Sequence, residues 1–468
     1  QSQINLTDGP LVKTVLFRLG SEEHLLICVH HLVIDGVSWR ILLEDFATAY
    51  EQSAARQVVT LPEKTASFQA WSQLLTEYSA SSELRKEKPY WQRVSDKISS
   101  GHVTPQKNQK KEAKEIAVKW DRSITSSLLH EAGKAYGTEV NDILVSALAV
   151  SIQGVTGQTR LSIEMEGHGR ERVHKEIAID RTVGWFTSIY PVVVEAENDL
   201  GMTLIATKEM FRKVPNHGMG YGVLKYLAKE ISGQEADVCF NYMGEISEGD
   251  KKPERQIQSS PYTTGMAIAK ENQMPTGITF NGVVNKGEME FHITYDAGKY
   301  EDEFIERLAQ IYEQTLVEMV QHCCEQKETI KTASDYGLDW GVKKFEEVLA
   351  RLGDTKSNVE RIYPLTPLQE GMLFHNVLDN SSTAYFIQSV MRLRQEVKAE
   401  TIRDTLQLLS YKYEILRTVF VVNKMSTPMQ VVLRNRTIEV KEIDLSAEEN
   451  KEESIQKIKE ADMRRGFD

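Results

Sequence analysis

The chain has 468 residues, of which 41% are hydrophobic and 26% charged, so it is long enough for about three globular domains. Its net charge of −12 would repel a polyanion at long range, which disfavours nucleic acid as a partner. No apolar run approaches the roughly 20 residues that cross a bilayer, so no membrane-spanning helix is predicted.

The first predicted elements, over residues 11–50, are two strands, a turn and a helix. The apolar run Leu25–Val29 indicates a buried strand, and apolar residues between Trp39 and Phe46 recur at helical spacing. The turn between them has the sequence HHLVIDG, residues 30–36. The sequence therefore predicts that this heptapeptide lies on a strand-to-helix turn.

This turn carries two histidines, a carboxylate and a glycine, and such a set suits either catalysis or structure. One histidine is a candidate proton carrier, since imidazole titrates near neutral pH, although histidine pairs at strand ends are also common as structural features. His30 is expected to be buried and hydrogen-bonded. Asp35 is expected to hold the turn against an arginine or backbone amides. Gly36 would permit a backbone conformation or a close approach that a side chain would block.

Patterns in the middle of the chain predict alternating helices and strands, and a basic run among them, Lys107–Lys114, is expected to be a solvated loop. The predicted elements are helical segments in 71–91 interrupted before Pro89, a strand at 116–120, a helix at 123–136, a buried helix from an N-cap at Asn141 to Ile152, strands at 160–166, 183–195, 237–243 and 277–295, and a helix at 304–320.

The strand at 160–166 alternates polar and apolar residues and ends at Gly167-His168-Gly169. It would deliver Glu166 to a glycine-rich turn, which His168 helps to shape. Within 277–295, the odd-numbered residues from Met289 to Tyr295 are apolar and predict one buried face. Trp185, Phe186 and Tyr190 fit a packed strand as well as a channel wall.

A second region follows a charged connection that carries one short helical pattern, Val342–Leu352. It opens with YPLTPLQEGM, residues 363–372, in which two prolines fix an extended entry to a helix. The further predicted elements are a helix at 368–378, a strand at 385–393, a helix at 399–413 and strands at 419–422 and 429–433. The layout predicts a mixed α/β chain with two or more sheets.

Four segments in this order resemble the epimerization branch of the condensation domains of nonribosomal peptide synthetases. They are HHLVIDG at 30–36, EGHGRE at 166–171, RTVGWFT at 181–187 and FNYMG at 240–244. The resemblance implies a two-lobed fold similar to chloramphenicol acetyltransferase, with mixed α/β sheets. The opening residues of the second region, 363–375, resemble the start of another condensation domain.

The resemblance assigns residues 1–335 to an epimerization domain that lacks its opening segment, 336–358 to a linker, and 359–468 to the N-terminal part of a condensation domain. The two truncations are complementary, and the chain is expected to be a fragment of a longer polypeptide. Residues 359–468 are therefore expected to fold back and complete the first lobe.

The resemblance places His31 and Glu166 on opposite sides of a tunnel as the two catalytic groups. Inverting an α-carbon requires that a proton leave one face and another arrive on the opposite face, which calls for two such groups. Asn241 and Tyr242 would line the site and help to stabilise the enolate-like intermediate, although alone they would pass for an ordinary strand end. His30, Asp35 and Gly36 would be structural.

The implied activity is an isomerase step of antibiotic biosynthesis, in which an L-aminoacyl or L-peptidyl thioester is converted to its D form. The substrate would be carried on the 4′-phosphopantetheine of a carrier domain outside this chain, with no metal and no directly bound cofactor. The partners would be that carrier domain and neighbouring synthetase modules, without nucleic acid or membrane.

The alternatives are a peptide-bond-forming condensation domain, in which no glutamate opposite the histidine is required, and a non-catalytic carrier-docking module. The fragment could itself be inactive.

The four cysteines at 28, 239, 323 and 324 show neither a CxxC pair nor the spacing of a zinc site. This pattern favours a reducing compartment, and we expect a cytoplasmic protein.

Overall fold

The computed structural model describes residues 4–20, 22–98, 103, 112–171, 177–233, 235–245, 260–262, 276–352, 358–378, 385–394, 397–421 and 428–465. These residues form two compact units, 1–327 and 328–468. Most of the basic run Lys107–Lys114 lies outside the described residues. No helix in the described part of the chain is both long and apolar enough to cross a membrane.

The first unit contains a two-stranded and a six-stranded sheet. Its strands are β1 (Val12–Leu19), β2 (Glu22–Val29), β3 (Ala113–Trp120), β4 (Arg160–Gly167), β5 (Ser188–Glu195), β6 (Val238–Glu245), β7 (Ile278–Asn285) and β8 (Glu288–Asp296). Strands β1 and β2 pair antiparallel, while the larger sheet has the order β3-β8-β7-β6-β4-β5. Within it, β4–β6 and β6–β7 are the parallel pairs.

The helices of the first unit are α1 (Gly36–Ala54), α2 (Phe68–Ser79), α3 (Ser82–Ile98), α4 (Arg122–His130), α5 (Val140–Thr156), α6 (Leu200–Phe211), α7 (Met219–Gly222) and α8 (Asp302–Glu325). As predicted, α5 is buried on most of its sides. Helix α8 covers one face of the large sheet, where Tyr312 meets the rings of Phe280 and Phe291 edge to face at centroid distances of 5.6 and 5.8 Å. The predicted apolar face of β8 is confirmed, since Met289, Phe291 and Ile293 are fully buried.

Several predicted boundaries in this unit are wrong for local reasons. The helical region 71–91 breaks at Ala80–Ser81, where the Ser81 hydroxyl accepts from Leu84 N–H, and Pro89 lies inside α3. Buried Leu84 and Trp91 anchor α3 on both sides of the proline and offset its missing N–H.

Helix α5 also begins differently from the prediction. Glu139, not Asn141, is its N-cap, because Asp142 accepts from the Glu139 backbone N–H and completes a capping box. Helix α4 ends at His130, and a short 3₁₀ turn at Ala132–Lys134 replaces the rest of the predicted helix.

The second unit contains β9 (Val359–Pro364), β10 (Thr418–Val421) and β11 (Met429–Leu433), which form an antiparallel sheet in the order β10-β11-β9. Its helices are α9 (Val342–Arg351), α10 (Pro367–Leu378), α11 (Ala399–Lys412) and α12 (Lys451–Arg465). Phe345, Val348 and Leu349 of α9 pack in one cluster with residues of β9 and β11. The segment 336–358, expected to be a linker, therefore contributes to the core of this unit.

The strand predicted at 385–393 does not form. Gln388 instead donates side-chain hydrogen bonds to Lys459 O and the Asp462 carboxylate on α12, while the apolar side chains of Ile387 and Val390 remain exposed. The strand predicted from the sequence of 385–393 is therefore wrong, and no strand pairs with this segment among the described residues.

Candidate active site

The histidine motif follows the end of β2 as a short helical turn, His31–Val33. His30 caps this turn, because its Nδ1 accepts a hydrogen bond from Leu32 N–H at 3.2 Å. The His31 ring is exposed and meets the edge of the Trp185 ring, with a centroid distance of 5.6 Å. His30 is therefore hydrogen-bonded as expected but only half-buried, so the expectation that it is buried is wrong, whereas the His31 ring is exposed.

Asp35 is the N-cap of α1 and is only 4% exposed. Its Oδ1 accepts from Ser38 N–H at 2.7 Å, and its Oδ2 accepts from Phe186 N–H at 3.0 Å. Arg170 Nη2 lies 3.3 Å from Oδ1. The predicted basic and amide partners of Asp35 are therefore confirmed.

These partners lower the pKa of the Asp35 carboxyl. Burial acts to raise it, but the hydrogen bonds from Ser38 and Phe186, together with the charge of Arg170, outweigh burial and hold the pKa below its ordinary value. Asp35 is therefore an ionised structural anchor at neutral pH.

Arg170 extends this anchor into a network that sequence reasoning did not single out. Its Nη1 donates to Ile179 O and Thr182 O at 2.9 and 2.8 Å, and its Nη2 donates to Ser38 Oγ at 2.9 Å. Its guanidinium stacks over the Phe186 ring at 4.0 Å. Because a guanidinium has five donors in a fixed fork, one side chain joins the motif turn to two later segments.

The Ser38 hydroxyl links the same network to residues 183–187, which were predicted as the start of a strand. It donates to Gly184 O at 2.9 Å and accepts from Gly184 N–H at 3.1 Å. Gly184 and Phe186 thus give backbone hydrogen bonds to Ser38 and Asp35 rather than to a neighbouring strand. Strand β5 consequently begins only at Ser188.

Glu166 lies near the end of β4 and is half-buried. Burial raises the pKa of its carboxyl, while a hydrogen bond from Cys239 and the charge of a protonated His31 act to lower it. The thiol Sγ of Cys239 is 3.8 Å from Glu166 Oε1. His31 and Glu166 are far apart in sequence, but the segments that carry them are joined by the contact between Asp35 and Arg170.

The turn after Glu166 requires a glycine at Gly169. Its φ is +64°, and a Cβ there would lie 1.6 Å from Phe186 O. Gly36 does not have such a requirement: its φ is ordinary and a Cβ would meet nothing within 4 Å. The expectation that Gly36 allows a special conformation or a close approach is therefore wrong, because the residue simply begins α1.

Asn241 and Tyr242 lie on opposite faces of the large sheet. In the parallel register, Glu164 faces Cys239, so Glu166, Cys239 and Asn241 share one face by alternation. The ring of Tyr242 stacks on Phe291 at 6.4 Å, on the face covered by α8. Burial raises the pKa of Tyr242 to about 12, with a further contribution from Glu245. Of the two residues, Asn241 is the one placed on the Glu166 face.

This geometry combines an imidazole with a carboxyl whose pKa is raised. In such a pair one group can take a proton and the other can deliver one. Sequence reasoning missed Arg170, Ser38 and Cys239. The available signal for all three was their position inside or next to the motifs: Arg170 lies within 166–171, Ser38 two residues after 30–36, and Cys239 directly before 240–244.

The family model described as "Condensation domain" matches residues 1–337 and 359–468. The chain is 37% identical to bacitracin synthase 3 of Bacillus licheniformis over its whole length and 8% of that protein. It is 34% identical to bacitracin synthase 1 of Bacillus licheniformis, again over its whole length and 9% of that protein. The chain thus spans less than a tenth of these curated relatives.

The solved structures that match this chain include an epimerization domain and a condensation domain. The epimerization domain from the third module of tyrocidine synthetase B matches with a TM-score of 0.65 and 34% identity, covering 70% of this chain and 75% of that one. The first condensation domain of the CDA synthetase matches with a TM-score of 0.52 and 18% identity, over 68% of this chain and 69% of that one, and indicates the fold alone. The predicted mixed α/β fold of the condensation and epimerization type is confirmed.

Proposed function

The chain belongs to the condensation-domain family of nonribosomal peptide synthetases, and from this premise we propose that residues 1–335 act as an epimerization domain. The remainder would be a connection at 336–358 and the N-terminal part of a condensation domain at 359–468. The domain would invert the α-carbon of an L-aminoacyl or L-peptidyl thioester held on the 4′-phosphopantetheine of a carrier domain. That carrier and the neighbouring synthetase modules are the proposed partners, in the cytoplasm.

In the proposed reaction, His31 and Glu166 serve the two faces of the α-carbon. The His31 imidazole takes the α-proton, so the Cα–H bond breaks and an enolate-like thioester forms. Protonated Glu166 then delivers its proton to the opposite face and a new Cα–H bond forms. His31 is left protonated and Glu166 ionised, and exchange with solvent restores both. Asn241, on the Glu166 face, is proposed to donate a hydrogen bond to the enolate oxygen.

One observation carries this proposal: the segment that carries His31 and Asp35 is tied to the segment of Glu166 by the Arg170–Asp35 contact, and Glu166 is a half-buried carboxyl whose pKa burial raises. A condensation domain forming a peptide bond would use the histidine without an opposing acid. The glutamate therefore favours epimerization over condensation and over a module that only docks a carrier. The similarity to an epimerization domain at 34% identity supports the same choice.

The test supplies the chain with carrier domains loaded separately with L-phenylalanyl, L-leucyl or L-asparaginyl phosphopantetheine. The released amino acids are analysed by chiral chromatography. We expect D-amino acid with at least one of the three. Amide formation with an added acceptor thioester, without inversion, would establish the condensation alternative. Carrier binding with unchanged L-aminoacyl groups would establish the docking alternative.

A further inference from the structure

The Cys239 side chain lies beside Glu166, although Cys239 belongs to none of the four motif segments. It is 6% exposed on β6, and its Sγ lies 3.8 Å from Glu166 Oε1, a hydrogen-bond distance for sulfur. Glu164 is its cross-strand neighbour in the parallel pair β4–β6. The thiol is thus enclosed on a face that carries two carboxylates.

We infer that Cys239 is a positioning residue that fixes which oxygen of Glu166 delivers the proton, an inference that rests on the proposed function. A neutral carboxylic acid accepts hydrogen bonds best at its carbonyl oxygen and donates from its hydroxyl oxygen. A thiol that donates to Oε1 makes Oε1 the carbonyl oxygen. The proton is then carried on Oε2, which stays free to reach the substrate.

The surroundings keep Cys239 a donor. Burial raises the pKa of its thiol, and the charges of Glu166 and Glu164 raise it further. A thiol in this state is neither a nucleophile nor easily oxidised, because both reactions need the thiolate. Its contribution is therefore through the hydrogen bond.

The groups that act electrostatically on Glu166, or on its neighbour Glu164, come from several elements. The hydrogen bond from Cys239 on β6 and the charge of a protonated His31 in the turn after β2 act to lower the pKa of Glu166. The charge of Glu166 raises the pKa of Glu164 on the same strand. Glu235 and Lys225 in turn act on Glu164 with opposite signs. A change at Cys239 alters the hydrogen bond while leaving these charges in place.

Two variants separate the hydrogen bond from packing. Cys239→Ser keeps a donor, whereas Cys239→Val fills the site without one. Cys324→Ser, at an exposed cysteine of α8, is the matched control. The titration of Glu166 is followed in each protein by NMR of ¹³C-labelled glutamate, with the signal assigned by its loss in Glu166→Gln. This readout does not depend on turnover.

Because a donor to the carboxylate lowers its pKa, we expect the Glu166 titration to move to higher pH in Cys239→Val and to stay at or below the parent value in Cys239→Ser. In the epimerization assay, kcat should fall in Cys239→Val with little change in KM and recover in Cys239→Ser. A Glu166 titration that is the same in Cys239→Val as in the parent, or that moves in both variants alike, would overturn the inference. If no protein epimerizes but the titrations differ as expected, the hydrogen bond stands and the proposed function fails.

Discussion

The Asp35 carboxylate accepts a hydrogen bond from the guanidinium of Arg170, 135 residues later in the chain. Asp35 caps the helix that follows the histidine turn, and Arg170 lies four residues after Glu166. Together with the bond from the same guanidinium to Ser38 Oγ, this contact holds the segment that carries His31 against the segment that carries Glu166. The relative placement of the two candidate catalytic groups depends on a residue pair that takes no part in proton transfer.

The first prediction concerns that contact. Asp35→Asn removes the charge opposite buried Arg170 and should lower the stability of the first unit by about 3 kcal/mol, because an uncompensated buried charge remains. Activity should fall with it. Thermal unfolding measures the loss, and Glu77→Gln, at an exposed glutamate of α2, is the control that should unfold like the parent. An Asp35→Asn protein as stable as the parent but inactive would place Asp35 among the catalytic groups.

The pH dependence of stability provides a second prediction. The pKa of Asp35 is lowered in the folded state, so its contribution is present above the unfolded value, near 3.8, and is lost as the pH falls through the folded pKa. The difference in unfolding temperature between the parent and Asp35→Asn should therefore be constant near neutral pH and shrink below pH 3.8. A difference that persists unchanged in acid would contradict the ionised anchor.

A third prediction contrasts two glycines. Gly169→Ala should destabilise the first unit by more than about 2 kcal/mol, because the residue has a positive φ and the methyl group would collide with the Phe186 carbonyl. Gly36→Ala should change stability by no more than about 1 kcal/mol, since it begins a helix in open space. Denaturant unfolding of both variants checks the pair, and equal losses would mean that the turn after Glu166 is not built as described.

Most of the secondary structure was predictable from the sequence, but contacts between distant segments were not. Alternating and helical patterns predicted most strands and helices, because burial on one face imposes a period on the residues. The patterns could not show that Ser38 and Asp35 would take the backbone hydrogen bonds of residues 183–187, since that depends on chain segments that meet only in the folded protein. The same holds for Gln388, whose partners lie on α12.

In the candidate site, too, some residues were identifiable from motifs and others only from the folded structure. The anchoring contacts of Asp35 were predictable from the motif and are observed. The motifs also single out His31 and Glu166, whose catalytic roles stay a prediction. The contribution of Arg170 depends on which backbone carbonyls its guanidinium can reach in the folded protein. The contribution of Cys239 depends on the register between β4 and β6. Neither is visible in a linear sequence. The fold-back of residues 359–468 onto the first lobe stays a prediction.

A fourth prediction separates Asn241 from Tyr242. Asn241→Ala should reduce epimerization, because the side chain shares the face of Glu166 and is proposed to stabilise the intermediate. Tyr242→Phe should have a much smaller effect, since it preserves the ring that stacks on Phe291. Both rates are measured with the same loaded carrier. A larger loss in Tyr242→Phe than in Asn241→Ala would reverse their assignment.

The two-base assignment yields the fifth prediction. His31→Ala and Glu166→Gln should each reduce inversion by about two to four orders of magnitude, because either change leaves one face of the α-carbon without a proton carrier. Thermal unfolding should change little, as His31 is exposed and glutamine keeps the shape of Glu166. Circular dichroism during heating provides this control.

The most direct measurement is the exchange of the α-hydrogen in deuterated solvent, followed by mass spectrometry and chiral analysis of the aminoacyl group released from the carrier. With the parent chain, we predict deuterium at the α-carbon of a D-amino acid that was loaded in its L form, and loss of that product in His31→Ala and in Glu166→Gln. Deuterium incorporation and inversion at the parent rate in both variants would contradict the account.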